Sequence, residues 1–132
     1  MPTTKTQNAK LKTVKKALDN DLKKTARTGL SQAYKELGMG GVAKEIKAGR
    51  NVRGNAEYGV VMGVHNKLGP RYNMETKEFF PMTKRQREME HKWIDNTNGL
   101  LKMAGEKPMN KASLLKKLRA KDREFAKKVK KR

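Results

Sequence analysis

Cysteine is missing from this 132-residue chain, aromatic residues make up only 5% of it, and acidic residues number 13 against 33 lysines and arginines. Without cysteine there are no disulfides, no thiolate metal ligands and no cysteine nucleophile. With 35% hydrophobic residues the chain has material for one small core, and its length suits a single domain. No apolar run approaches the roughly 20 residues of a membrane span. The opening Met-Pro-Thr-Thr-Lys lacks the apolar stretch of a signal peptide, so the chain is expected to be made and used on the cytoplasmic side, away from any membrane. Histidine is also scarce. His65 and His91 belong to no H-x-x-x-H pair, so no metal site is expected. Glu75 and Glu78 lie three apart in a loop-like stretch with nothing to build a pocket around them. Gly38-Met39-Gly40-Gly41 follows a helical segment, whereas a phosphate-cradling loop follows a strand. Neither an enzyme nor a bound cofactor is expected.

What the chain has in excess is positive charge, a net of +20. The excess is uneven. Residues 1–38 carry a net of +6, 39–82 of +3, 83–110 of +2 and 111–132 of +9. Charge of one sign on this scale repels itself in a compact state and favours an anionic partner, such as nucleic acid or an acidic protein face.

Leu11, Val14, Leu18, Leu22, Leu30, Ala33 and Leu37 recur at helical spacing and predict a long helix over roughly 8–37, stopped by Gly38. From Val42 to His65 glycine is frequent and the apolar residues are mostly β-branched. Val42, Lys44, Ile46 and Ala48 alternate, the turn Arg53-Gly54-Asn55 follows, and Tyr58-Gly59-Val60-Val61-Met62-Gly63-Val64-His65 reads as a second strand. Residues 66–77, with Gly69-Pro70, read as a loop, and Phe79-Phe80 as an anchor on the core. Thr83 and Gln86 form a capping box that opens a helix with Met89, Trp93, Ile94, Thr97 and Leu101 on its buried stripe. Asn96-Thr97-Asn98-Gly99 is expected to weaken or end it.

The expected fold is therefore α+β: a long N-terminal helix packed on a small antiparallel hairpin, a second, capped helix, and a basic C-terminal helix or tail. Residues 1–110 form the domain. Residues 111–132 form a basic extension whose removal is expected to leave the fold intact. Asn110 is a plausible N-cap for that extension. Arg50, Arg53, Lys116, Lys117, Arg119, Lys121, Arg123, Lys127 and Lys128 are the candidate contacts to a partner or to nucleic acid. Lysine and arginine displace counterions from phosphates without reading bases. No aromatic residues interleave with them, which disfavours stacking on single strands. Tyr58, His65, Phe79, Phe80, Thr83 and Trp93 are the candidate structural anchors.

The stretch Tyr58-Gly59-Val60-Val61-Met62-Gly63-Val64-His65-Asn66-Lys67-Leu68-Gly69, followed after a loop by Glu78-Phe79-Phe80-Pro81-Met82-Thr83, resembles phage virion-morphogenesis and tail-completion (head–tail joining) proteins. In that family a strand with a Tyr near its start ends in His-Asn, and a short Phe anchor steps through Ser/Thr into a helix. Lys67-Leu68-Gly69 departs from the family's tighter glycine pair, and the basic tail after Pro108 lies outside its pattern. The resemblance implies a small structural subunit without an active site, forming a homo-oligomeric ring at the neck or tail. Its partners would be portal, neck or tail proteins, with non-specific contact to packaged DNA, and its place the virion after assembly in the host cytoplasm. The alternative is a basic protein that binds the phosphate backbone of nucleic acid.

Overall fold

The computed structural model describes residues 5–130. Residues 1–4 of the expected domain and 131–132 of the expected extension lie outside the described residues. Five helices dominate: α1 (Lys5–Glu36), α2 (Gly40–Lys47), α3 (Val52–Leu68), α4 (Lys84–Met103) and α5 (Lys111–Lys130). Among the described residues the only strands are β1 (Arg71–Asn73) and β2 (Glu78–Phe80), which pair antiparallel with Tyr72 opposite Phe79. The expected α+β architecture is thus overturned: a helical body carries one short hairpin, and the hairpin lies at 71–80 instead of 42–65.

The correction has a physical basis in α3. Val52, Ala56, Gly59, Val60, Gly63, Val64 and Leu68 are its buried positions, a spacing of three and four that places them along one side of a helix. Of the glycines that suggested a strand with turns, Gly59 is instead a site of close helix approach: a Cβ there would stand 2.5 Å from Tyr34 Cε1, whereas one on Gly63 would meet Leu37 Cδ1 and Trp93 Cζ2 at ordinary contact distances of 3.4 and 3.7 Å. In α2 the same misreading applies, because Ala43 and Ile46 face the core at helical rather than alternating spacing.

Tyr34 shows how α1 is tied to α3. Its ring is 1% exposed, and its hydroxyl donates to the Ala56 carbonyl at 3.2 Å. Burial, partly offset by hydrogen bonding with Thr97 and Trp93, pushes the phenol up to about 12. Because that ring has no room to move, Gly59→Ala is expected to cost about 1–3 kcal/mol, an overpacking penalty. Urea denaturation measures it, and an unchanged midpoint would show that the contact yields freely.

Two termini follow the sequence closely. Gly38 at φ 78° ends α1 in the left-handed conformation that glycine adopts without strain. At α4 the capping box forms in full: the Gln86 amide donates to Thr83 Oγ1 at 3.2 Å, and the Thr83 amide donates to Gln86 Oε1 at 2.7 Å. The expected break at 96–99 is absent, since α4 runs on to Met103. Asn98 instead clamps the returning chain. Its amide donates to the Met109 carbonyl at 3.1 Å, and its side-chain oxygen accepts from the Met109 amide at 2.7 Å.

That strap leads into α5, where Asn110 Oδ1 accepts from the Ser113 amide at 2.9 Å as an N-cap does. Leu114 and Leu118 then enter the same hydrophobic core as Val60, Val64, Ile94 and Leu101. The segment expected to be an extension is part of the body, so no structural boundary falls at 110.

Candidate interaction surfaces

The nine candidate contact residues separate into two groups. Arg50 forms a two-pronged pair with Glu45, Nε to Oε2 at 2.8 Å and Nη2 to Oε1 at 3.1 Å, and the guanidinium beside Glu45 holds that carboxyl below its usual range. Arg53 donates to the Pro108 carbonyl at 3.5 Å. Lys117 pairs with Glu57, and Arg119 bridges Glu90 and Asp122. These four residues hold helices and turns together. By contrast, Lys116, Lys121, Arg123, Lys127 and Lys128 form no ion pair with another described residue.

Helical periodicity orders the free charges. Lys116, Arg123, Lys127 and Lys130 are spaced seven, four and three apart, and all four are exposed. They form a stripe about 21 Å long on the side of α5 opposite Leu114 and Leu118. Lys130 escaped the sequence reading, although its spacing from Arg123 and Lys127 was available there.

The anchor residues are also redistributed. Tyr58 is 57% exposed and anchors nothing in the core. Phe79 and Phe80, expected to pack inward, are 40% and 48% exposed on the hairpin. The Phe79 ring does lie 6.3 Å from that of Phe125 on α5. His65 is mostly covered. Its Nδ1 lies 3.1 Å from Asp122 Oδ1, and its ring meets Phe125 edge-on at 6.0 Å. Together with the Lys117–Glu57 pair, this contact fastens α5 along α3. Thr83 acts as the cap described above, and Trp93 lines a groove.

That groove, about 500 Å³, runs between the C-terminal half of α1 and α4, with Leu30, Ala33, Leu37, Met89, Trp93 and Leu100 in its apolar lining. Glu36, Lys67 and Lys92 add charge around it. The other large apolar surface is on α1 itself. Every described side chain from Asn8 to Thr25 is exposed, and burial begins only at Ala26. The helix therefore projects from the body as an arm over Lys5 to Leu22, about 27 Å long, and Lys23 already reaches the α4–α5 connection, where a Cβ on Gly105 would stand 2.9 Å from its Cε. Leu11, Val14, Leu18 and Leu22, expected in the core, are 61%, 56%, 63% and 49% exposed along it.

Among the described residues no group of three or more His, Asp or Glu side chains is placed to hold a metal ion, and no helix is long and apolar enough to cross a membrane. No protein-family model matches the chain, and neither the curated proteins nor the solved structures contain a match.

Proposed function

We propose that this protein is a non-enzymatic structural subunit of a macromolecular assembly, in its narrower form a tail-completion or head–tail joining component of a phage virion. The observation that carries the reading is a division of the surface. Part of the body's charge is paired internally, as in Arg119–Glu90 and Lys117–Glu57. The projecting arm and the hairpin hold large apolar side chains out in solvent. Contiguous apolar groups left exposed mark contact surfaces for other macromolecules. The virion form rests on the resemblance in Tyr58–Gly69 and Glu78–Thr83. The Phe-bearing hairpin followed by the Thr83–Gln86 cap keeps that order, while the strand of the pattern is here a helix.

Quantitative mass spectrometry of particles purified from the host that carries the gene tests this directly. A fixed, small number of copies per particle is expected. Absence from intact particles, with the protein present in the lysate, would overturn the virion reading.

The free basic stripe on α5 favours a second reading, contact with a nucleic-acid backbone. Affinity would then be similar for unrelated duplexes and fall steeply with salt. Replacing Lys116, Arg123, Lys127 and Lys130 together by Gln is expected to lower the slope of log K against log salt by about 3–4, since each phosphate contact contributes about 0.9. An unchanged slope would place any contact elsewhere.

A further inference from the structure

We infer that the arm of one copy docks in the α1–α4 groove of another, a head-to-tail contact between identical chains. This inference rests on the assembly reading above and names the partner of its main apolar surface as a second copy of this chain. The arm and the groove fit in three respects that are independent of one another.

The first is length. Leu11 to Leu22 on the arm and Met89 to Leu100 along the groove each span eleven positions of helix, about 16–17 Å of rise. The second is chemistry. The arm offers Leu11, Val14, Leu18 and Leu22, exposed and in line, and the groove is lined mainly by apolar side chains. Helical periodicity places Lys15 on one flank of the arm stripe and Asp21 on the other. The groove carries the opposite charges to receive them, Glu36 on α1, Lys92 on α4 and Lys67 on α3.

The third is connectivity. The arm and one wall of the groove belong to the same uninterrupted helix, Lys5–Glu36. A chain therefore cannot fold its own arm back onto its own groove. The arm points along the axis away from Leu30 and Leu37, and only another molecule's groove is within its reach. A contact in which each copy uses two different surfaces is heterologous, and it propagates from copy to copy.

The contact is modest. Half the lateral surface of the matched ~16–17 Å of helix, about 10 Å across, is roughly 260 Å² per partner, below the usual range for a stable specific interface, so the contact is expected to be weak and to form only as concentration rises. The net charge of +20 opposes it when salt is low. Association is thus expected to strengthen between about 50 mM and 500 mM salt as this repulsion is screened, the opposite of the salt response of binding to nucleic acid.

The test uses sedimentation velocity on the full chain at about 500 mM salt, with wild type, an arm variant (Leu11→Glu with Leu18→Glu) and a groove variant (Met89→Glu). All three substitutions are at exposed positions, and far-UV circular dichroism with thermal melting verifies that each variant is folded. Wild type is expected to form species larger than a dimer as concentration rises. Each variant alone is expected to be monomeric. Mixed one to one, they are expected to form a dimer and stop there, because the mixture restores a single intact arm and a single intact groove. A groove variant that still associates by itself would overturn the inference in favour of arm-to-arm pairing, and a wild type that stays monomeric at every salt and concentration would overturn it outright. Either result leaves the particle measurement untouched, so a chain present in virions yet monomeric in solution refutes the docking contact alone. A chain absent from virions that shows the mixing behaviour refutes only the virion reading.

Discussion

Removal of residues 111–132 is expected to abolish cooperative thermal unfolding rather than to trim a dispensable tail. Leu114 and Leu118 are 1% and 0% exposed, and Val129 is 8% exposed. Truncating a single buried leucine to alanine typically costs about 2–5 kcal/mol. Taking both leucines away with the helix that carries them therefore approaches the about 5–15 kcal/mol by which an entire domain is stable. The loss also uncovers the α3 and α4 residues beneath α5 and leaves His65, Glu57 and Glu90 without their partners on it. The shortened chain is expected to melt without a transition and to bind a hydrophobic dye. Leu118→Ala in the full chain separates packing from charge: it is expected to lower stability by about 3 kcal/mol while leaving every cation in place. A truncated chain that melts as sharply as the full one would show that α5 lies outside the cooperative unit.

That expectation reverses what composition suggests, and the reason is specific. A segment with nine net positive charges reads as solvated or partner-bound, and the thin stripe of Leu114, Leu118 and Val129 is easy to discount beside it. Yet Leu114 and Leu118 join the same buried cluster as Val60, Val64, Ile94 and Leu101, and the Lys117–Glu57 and His65–Asp122 contacts seat the helix along α3. Glycine in α3 is what made the middle of the chain illegible. At Gly59 and Gly63 local preference opposes a helix by about 1 kcal/mol each, and the surrounding β-branched residues point toward a strand. Packing decides otherwise, because only glycine lets the Tyr34 ring approach so closely.

Local signals, in contrast, were legible. The Thr83–Gln86 box, the Gly38 stop, the Asn110 cap and the long first helix depend on contacts within a few residues of sequence. The ends of the interaction surfaces were half legible. Counting lysines located the basic segment but not its division into paired and free charges, since the acidic partners Glu57 and Glu90 lie 60 and 29 positions away from Lys117 and Arg119. Likewise the leucine stripe of α1 is visible in the sequence, but its first half covers nothing. Periodicity reports that a helix has an apolar face and is silent on whether its own chain supplies the cover.

The second large effect is expected at the buried end of that charge network. The Glu90 side chain is 3% exposed, and Arg119 Nη2 donates to both of its oxygens, at 2.7 and 2.5 Å. Burial nevertheless raises the Glu90 pKa above the ordinary carboxylate value, with the attraction and hydrogen bonding of Arg119 pulling it down and nearby Asp122 adding to the rise. A carboxyl whose pKa is higher in the folded chain than in the unfolded one favours folding when protonated. That contribution is present below the unfolded pKa and is lost as pH rises through the folded one. Removing Arg119 takes away the main opposing influence, so Arg119→Ala leaves a buried carboxylate without its cation. The expected cost near neutral pH is about 3 kcal/mol, at the lower end for breaking a buried pair because the arginine is partly open to solvent. At pH 4, below the raised pKa of Glu90, the cost is expected to shrink toward the lost packing of the arginine stem. Urea unfolding at both pH values measures the difference, and adding Glu90→Gln to the Arg119 variant is expected to recover much of the stability lost at neutral pH, because the glutamine brings no charge to bury. Equal losses at the two pH values, or no recovery in the double variant, would show that Arg119 holds α5 by packing alone and that Glu90 finds its compensation elsewhere.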